Sequence, residues 1–377
     1  MRRATMTSNV KLTACIIVQN EESHLPYCLA SIQSIADEII VVDTGSTDTT
    51  KQLAQQYHAK VYDFQWNDNF ADARNYALEQ ATGEWILYID ADERLEDSGH
   101  AAIREAIEQE ELLLLGLKVV NYYGHRPVQY ERSNLLVQYR IFRRMKATFT
   151  GAIHEQLNLS VPLQAHQVKK LPSQLSHYGY LQERVLEKNK MNRNVNILLK
   201  EKARDKNNPW TDYFIANELN QLGEKVKAYE FVNLAITGFI AKQQLPPSLL
   251  YKLKYSIVID LQQFEGIEQS IDLAIKIHPD FVDLYYYKGL IMKGQGRLDE
   301  AITAFDHALL IGENNLQHLT LCGTGSFLSK FEKAVCLEQQ GMQTSALLLI
   351  EEVLMQYSNY APALVARERI KALYTTS

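Results

Sequence analysis

Residues 38–50 read EIIVVDTGSTDTT, an apolar run that ends in an aspartate and is followed by small polar residues. Consecutive apolar residues without alternation are typical of a strand that is buried on both faces, as in a parallel sheet. The serine and threonine oxygens after Asp43 can cap free N–H groups at the start of a helix. The segment therefore predicts a strand, a turn and a helix, the unit from which α/β sheets are built.

Further apolar runs lie on both sides of this one, with the sequences LTACIIV at 12–18, KVYDF at 60–64 and WILYI at 85–89. Helix-like stretches separate the four runs, at 25–35, 47–57 and 69–81. Strands that alternate with helices predict a parallel sheet with helical crossovers. Two longer strand-like pieces follow, at 112–123 and 135–144, and they extend or edge the same sheet. The first half of the chain is therefore predicted to be an α/β domain.

The last third of the chain repeats itself every 34 residues, as in the pairs Tyr251 and Tyr285 or Ala274 and Ala308. Within 285–309, small residues and Phe305 stand at the spacings of a tetratricopeptide repeat, in which they let two antiparallel helices pack closely. We predict four helical hairpins, the clearest at 285–311, with a longer loop at 312–326. The alternative is a generic helical bundle.

The composition of the 377 residues excludes several classes of protein. With 46% hydrophobic and 22% charged residues the chain is ordinary for a globular protein, and its length predicts two or three domains. The net charge of −6 does not favour nucleic-acid binding, which usually needs a basic face. No run approaches the ~18 apolar residues of a membrane span, and the N-terminus lacks the apolar core of a secretory signal. The four cysteines form no CxxC pair, which predicts neither a zinc site nor a disulfide framework and favours the cytoplasm.

Acidic and amide residues follow three of the predicted strands, as QNEE at 19–22, Asp43 and DADE at 90–93. Ligands of parallel sheets bind beyond the carboxyl ends of the strands, so these residues are expected to share one site. Asp90 and Asp92 are two apart and point to one side of an extended chain. Their mutual repulsion calls for a cation, and hard oxygen ligands suit Mg²⁺ or Mn²⁺ that also holds phosphate oxygens.

Arg74, in DARN at 72–75 of the third predicted helix, carries a planar donor fork that can reach a nucleotide phosphate or base. Its plainer alternative is an ion pair with Asp72 or Glu79. Asp90 and Asp92 have the alternative of a solvated turn, and Asp43 that of a helix cap. Glu21 and Glu22 have the alternative of a helix start favoured by the helix dipole.

Three segments carry a resemblance to a known family: IIVQNEE at 16–22, EIIVVDTGSTDTT at 38–50 and DNFADARNYALEQATGEWILYIDADE at 68–93. They resemble the nucleotide-binding core of family 2 glycosyltransferases with the Rossmann-like GT-A fold, over roughly residues 11–180. The resemblance implies inverting transfer of a sugar from a nucleotide donor to an acceptor.

The resemblance also implies roles for individual residues. It assigns nucleotide-sugar binding to Asn20, Glu22, Asp43, Arg74, Asp90, Ala91 and Asp92, with Asp43 on the uracil base. Asp90 and Asp92 would hold the ribose and the divalent metal, Mg²⁺ or Mn²⁺. His177 would complete the metal shell, although a packed polar residue is its alternative.

Inverting transfer needs a base that takes the proton of the acceptor. His154, in TGAIHEQL at 150–157, is the candidate, because an imidazole titrates near neutral pH. Glu155 is the second candidate or the group that orients the imidazole; a surface histidine paired with Glu155 is the alternative. Arg140, Arg143 and Arg144 are expected either to neutralise the departing diphosphate or to lie on a solvated edge strand. Tyr178 and Tyr180 are expected either to stack on a sugar or to belong to the core.

The residues that follow the nucleotide-binding core indicate which group within this family the chain resembles. The chain lacks the ED dipeptide with a following QxxRW of processive polysaccharide synthases, and has TGAIHEQL, HYGY at 177–180 and a repeat tail instead. This order is similar to the peptide glycosyltransferases that modify glycocin bacteriocins on Cys or Ser, commonly from UDP-glucose. It implies a UDP-sugar donor, an acceptor peptide bound partly by the repeats, and a homodimer. The alternatives are a glycosyltransferase for a cell-surface glycan or lipid carrier, and a non-catalytic repeat scaffold with a vestigial nucleotide domain.

The chain is therefore expected to comprise four parts: a disordered N-terminus at 1–10, a GT-A catalytic domain at 11–180, a linking helix at 181–209 and a tetratricopeptide-like all-α domain at 210–377.

Overall fold

A computed structural model of the chain describes residues 10–144, 147–181 and 188–375. The chain divides into two compact units, one from Met1–Gln129 with Leu136–Glu201 and the other from Tyr130–Leu135 with Lys202–Ser377. The disordered N-terminus expected at 1–10 lies outside the described residues except for Val10. Of the linking helix expected at 181–209, the part at 182–187 is also outside them.

A mixed sheet forms the centre of the first unit. Its strands are β1 (Leu12–Val18), β2 (Glu38–Asp43), β3 (Lys60–Asp63), β4 (Trp85–Tyr88), β5 (Glu93–Leu95), β6 (Leu114–Gly124), β7 (Ser133–Arg143) and, after the hairpin β8 (Ala147–Thr150) and β9 (Gln156–Leu159), β10 (Val168–Leu181). The helices of this unit are α1 (Leu25–Ile32), α2 (Thr50–Gln56), α3 (Phe70–Gln80), α4 (His100–Ile107) and α5 (Lys188–Arg204).

The order of the strands is β3-β2-β1-β4-β7-β6-β10-β5. The first four run parallel, with Val18 opposite Asp43 and Cys15 opposite Tyr88, and β7 is antiparallel to β4. Because β1, β2 and β4 run in one direction, the polar residues that follow them meet at one edge of the sheet. The α/β class predicted from the alternating pattern is confirmed.

Buried apolar side chains cover both faces of the parallel strands. Leu12, Ile16, Val41 and Leu87 belong to one cluster with helices α1 and α4, and Ile40 belongs to a second cluster on the opposite face. Burial on both faces explains why these strands read as continuous apolar runs.

Helix α2 begins three residues later than the sequence pattern predicts. The preceding residues bond to side chains of two other segments: Asp43 Oδ2 accepts from the N–H groups of Gly45 and Ser46, at 3.1 and 2.9 Å, and Glu22 Oε2 accepts from Thr49 N at 3.1 Å. Small polar residues that favour a helix start also favour such turns, so these residues form a turn instead.

The second unit is a series of helical hairpins. Its helices are α6 (Pro209–Gln221), α7 (Lys225–Ala241), α8 (Ser248–Leu261), α9 (Glu268–Ile277), α10 (Val282–Gly294), α11 (Leu298–Ile311), α12 (Phe327–Gln339), α13 (Gln343–Gln356) and α14 (Ala361–Thr375). The predicted repeat structure is confirmed: the described residues form four hairpins, and the longer loop lies between α11 and α12.

The best predicted hairpin, α10 with α11, shows why its small residues are needed. A Cβ atom on Gly289 would lie 2.4 Å from the ring of Phe305, so the two helices approach as closely as a glycine allows. Ala301 and Ala308 are completely buried in the same hairpin. In the loop after α11, the short strand β11 (Thr320–Leu321) pairs with Asn134 and Leu135, which belong to this unit by their contacts.

Across the residues that the structure describes, no helix combines the length and the apolar character that crossing a membrane requires.

Candidate functional site

A cavity of about 430 Å³ opens where β1 and β4 end in the first unit. Its lining includes the predicted site residues Arg74, Asp90, Ala91, Asp92, His154, Glu155 and His177. Its volume falls within the range of about 300–1,000 Å³ that small-molecule sites occupy. Residues that lie far apart in the sequence thus share one cavity: Asp90, Ala91 and Asp92 follow β4, whereas Arg74 lies in α3, His177 in β10, and His154 and Glu155 between β8 and β9.

A network of ion pairs surrounds Asp90. Arg74 Nη2 donates to Asp90 Oδ1 at 2.8 Å, and Arg140 Nη1 lies 3.8 Å from Asp90 Oδ2. Arg140 Nη2 also donates to Glu93 Oε1 at 2.6 Å, while Glu93 Oε2 accepts from the backbone N–H of Asp90 at 2.9 Å. Two guanidinium groups and a second carboxylate therefore hold Asp90 in place.

The charges of this network depend on one another. Burial opposes ionisation of Asp90, but Arg74 and Arg140 outweigh it and hold its pKa below the ordinary value. For Glu93 the balance is reversed: burial raises its pKa, although Arg140 acts in the other direction. The ring of Tyr88 packs against both guanidinium groups of the network: its centroid lies 5.2 Å from the guanidinium carbon of Arg74 and 4.5 Å from that of Arg140.

Asp92 and His177 form a second pair in the cavity. The Nε2 atom of His177 lies 3.6 Å from Asp92 Oδ1, and Nδ1 lies 2.7 Å from Asn121 Oδ1. Since a carbonyl oxygen accepts, this contact assigns a ring proton to Nδ1, and in the neutral ring the lone pair is then on Nε2, the nitrogen that faces Asp92. A side chain on Gly179 would lie 2.5 Å from His177 Nε2 and 2.7 Å from Asp92 Oδ2, so glycine keeps this space open.

A tight turn presents His154 and Glu155. Gly151 and His154 have positive φ angles of 101° and 53°. The backbone N–H of Phe70 donates to Ala152 O at 2.8 Å, which ties this turn to the start of α3. Glu155 forms an ion pair with Nε of Arg74. Arg74 thus links the carboxylates of Asp90 and Glu155, and burial, which opposes its charge, is outweighed by those two carboxylates, which raise its pKa.

Asn20 and Glu22 bond to the chain that follows β2. Asn20 Oδ1 accepts from Thr47 N at 2.8 Å, and Glu22 Oε2 accepts from Thr49 Oγ1 at 2.7 Å. Within the described chain their neighbours Gln19 and Glu21 line the cavity, whereas Asn20 and Glu22 do not. The two predicted residues therefore hold the loop that follows β2.

Asp43 lies beneath that loop, with 2% of its surface exposed. Its Oδ2 accepts the two loop N–H groups, whereas its Oδ1 is buried and has no hydrogen-bond partner among the described residues. Thr44, the next residue, lines the cavity. An unpaired buried carboxylate oxygen is costly. Asp43 itself is not among the described residues that line the cavity.

The sequence pattern does not single out several of the residues that complete the cavity. Trp66 and Phe70 form an aromatic wall with ring centroids 4.8 Å apart, and Gln138 accepts from Arg140 Nε at 2.9 Å. Trp66 lies in the loop after β3 and Gln138 in the middle of a strand. Neither position carries a motif, and only the order of the strands brings them to the site.

Comparison with known proteins finds similarity in both parts of the chain. Residues 13–161 match the family described as Glycosyl transferase family 2. A TPR repeat-containing protein of Synechococcus elongatus is 30% identical over 271 residues, which cover 70% of this chain and 64% of that protein. The SPbeta prophage-derived glycosyltransferase SunS of Bacillus subtilis is 26% identical over 307 residues, which cover 79% of this chain and 71% of SunS.

Among solved structures, MamA from Desulfovibrio magneticus RS-1 matches 47% of this chain and 92% of its own at 14% identity, with a TM-score of 0.39. The matched part of the chain covers 64% of the length of the Synechococcus relative and 71% of the length of SunS.

Proposed function

We propose, from the match of residues 13–161 to glycosyl transferase family 2, that the chain is an inverting glycosyltransferase. It would move a hexose, with glucose as the first sugar to test, from a UDP-sugar to a cysteine or serine of a peptide. The observation that carries the proposal is the single cavity in which Asp90, Asp92 and His177 face His154 and Glu155. The peptide acceptor rests on the order of motifs, TGAIHEQL, HYGY and a repeat tail.

The two ends of the cavity suit the two ends of a nucleotide sugar. We assign the N–H of a uracil to the Asp43 oxygen that is buried without a partner among the described residues, next to Thr44, which lines the cavity. Trp66 and Phe70 supply the apolar wall against which a flat base or a sugar ring packs. Arg140 neutralises charge near Asp90, where a diphosphate would otherwise be repelled.

A divalent cation fits beside Asp92. We assign Asp92 and His177 as its protein ligands, since the His177 lone pair faces an oxygen of Asp92 across 3.6 Å. The described residues hold no group of three or more His, Cys, Asp or Glu side chains arranged for a metal, so the other ligands would be phosphate oxygens and water, as is usual for Mg²⁺. Asp90 faces two guanidinium groups, and we assign it to the donor rather than to the metal. When bound, the ion would stabilise the charge of the leaving diphosphate.

His154 is the proposed base. Both His154 and Glu155 line the cavity, but one oxygen of Glu155 is already bonded to Arg74 Nε, which makes Glu155 the weaker base. In the transfer, the acceptor sulfur or oxygen attacks the anomeric carbon, the bond from that carbon to the diphosphate breaks, and the acceptor proton passes to the imidazole. Arg74 acts by positioning Asp90 and Glu155.

The test of the function uses the whole chain, UDP-glucose, Mn²⁺ and peptides with a single cysteine or serine. Mass spectrometry is expected to show the addition of one hexose, lost on chelation with EDTA and restored by Mn²⁺. Asp92→Asn should abolish transfer, whereas Asp97→Asn, whose side chain is 93% exposed, should leave it unchanged. Transfer to a glycan or lipid acceptor alone would contradict the peptide assignment, and no turnover of any UDP-sugar would favour the scaffold alternative.

The role of His154 is tested by comparing the two acceptors. A thiol with a pKa near ~8.5 is partly ionised at neutral pH and needs little help, whereas a serine hydroxyl depends on a base. We expect His154→Ala to slow transfer to the serine peptide by roughly 10²–10⁴-fold and transfer to the cysteine peptide much less. His166→Ala, at an exposed position, is the matched control. Equal losses on both acceptors would show that His154 is not the base.

The repeat unit is proposed to bind the acceptor peptide, because stacked helical hairpins offer an extended surface for an elongated ligand. A homodimer is a separate proposal, which sedimentation equilibrium of the whole chain tests.

A further inference from the structure

Arg94 differs from the other arginines of the first unit. Arg74, Arg104 and Arg140 each bond a carboxylate. Within the described part of the chain, the side chain of Arg94 has neither an ion pair nor a hydrogen bond. Instead its guanidinium carbon lies 4.3 Å from the ring centre of Tyr27 and 4.6 Å from that of Tyr178. Two aromatic contacts therefore hold a cation that no described acid neutralises.

The two rings flank the guanidinium. Tyr27 and Tyr178 make no ring contact with each other in the described residues, although both are close to the same carbon, so they lie on different sides of it. Tyr178 is supported in turn by Tyr122, whose ring stacks on it at 5.5 Å and 19°. The guanidinium carries its N–H donors in a planar fork, which can bind a carboxylate through two parallel hydrogen bonds.

This group lies next to the donor cavity but outside it. Arg94 is two residues after Asp92, and the backbone N–H of Tyr178, the residue after His177, donates to Asp92 O at 3.1 Å. Tyr27, Arg94 and Tyr178 are not among the described residues that line the cavity. Tyr27 is 57% exposed, which leaves the group open to a second molecule.

We propose that Tyr27, Arg94 and Tyr178 form an acceptor subsite that binds the carboxylate of a glutamate or aspartate near the modified residue of the acceptor peptide. The inference rests on the proposed peptide glycosyltransferase function and adds a sequence preference to it. A carboxylate is the ligand that matches a single cation, because phosphate sites usually collect several cations or backbone N–H groups. The tyrosine rings pack against the aliphatic part of the same acidic side chain.

The experiment measures binding, which needs no turnover. Two fluorescein-labelled peptides differ only in a glutamate or a glutamine beside the acceptor cysteine, and fluorescence anisotropy gives their affinities for the whole chain. Since a hydrogen bond to a charged group contributes about 1.5–3 kcal/mol, we expect the glutamate peptide to bind at least about tenfold more tightly. Arg94→Gln should remove this preference, and Arg94→Lys, which keeps the charge but loses the planar fork, should weaken it. Arg104→Gln, which removes one positive charge elsewhere, should keep it.

The outcomes separate this inference from the proposed function. If the glutamate preference depends on Arg94 but neither peptide receives a sugar, the subsite stands and the function fails. If both peptides bind and receive sugar equally, in the wild type and in Arg94→Gln, the function stands and the subsite is overturned. Displacement of the peptide by inorganic phosphate but not by equimolar glutarate would also overturn it. Loss of UDP-glucose binding in Arg94→Gln and Arg94→Lys alike would place Arg94 in the donor site instead.

Discussion

At the scale of single residues, the ion pair between Arg140 and Glu93 is completely enclosed, with Glu93 0% exposed. Removing one partner of a buried pair leaves the other charge uncompensated, which costs about 3–5 kcal/mol. We therefore expect Arg140→Met to lower the free energy of unfolding by up to about that amount in urea denaturation at alkaline pH, where Glu93 is ionised, and by less at neutral pH, where Glu93 takes up a proton. The double variant Arg140→Met/Glu93→Gln should recover most of the loss, since it buries no unpaired charge. Arg104→Met is the matched control, because the Arg104–Asp37 pair is partly exposed and should contribute less than about 1 kcal/mol.

If Arg140→Met and the double variant lost the same stability, the apolar contacts of the Arg140 side chain would explain the effect and the buried charge would not.

The same network shows which single residues of the site the sequence predicts. Arg74, Asp90, His154 and His177 were all expected at one site, and all line one cavity. Their partners were not predicted, because Arg74 and Glu155 are 81 positions apart and only the fold brings them together.

At the scale of elements, the parallel strands follow directly from the sequence because burial on both faces leaves a continuous apolar run. β1 has the predicted bounds, and β2, β3 and β4 differ from them by one residue. The positions of β7 and β6 in the interior of the sheet were not predicted, since their residues also suit an edge. The first residue of a helix is harder to predict than a buried strand, because a serine or threonine can either cap a helix or close a turn. Residues 46–49 close a turn before α2. The repeat hairpins were predictable because close helix packing demands small residues such as Gly289 at fixed spacing.

At the scale of the whole molecule, the division into two units predicts two separable responses to perturbation. UDP-glucose with Mn²⁺ should stabilise the unit that holds the cavity, because a ligand raises the stability of the state that binds it. Gly289→Ala should destabilise the repeat unit by about 1–3 kcal/mol, since the added Cβ lies 2.4 Å from Phe305. In differential scanning calorimetry we expect the ligands to raise one transition and the substitution to lower the other by roughly 2–4 °C per kcal/mol. A single transition that moves under both perturbations would contradict the separation, because it would show that the two units unfold together.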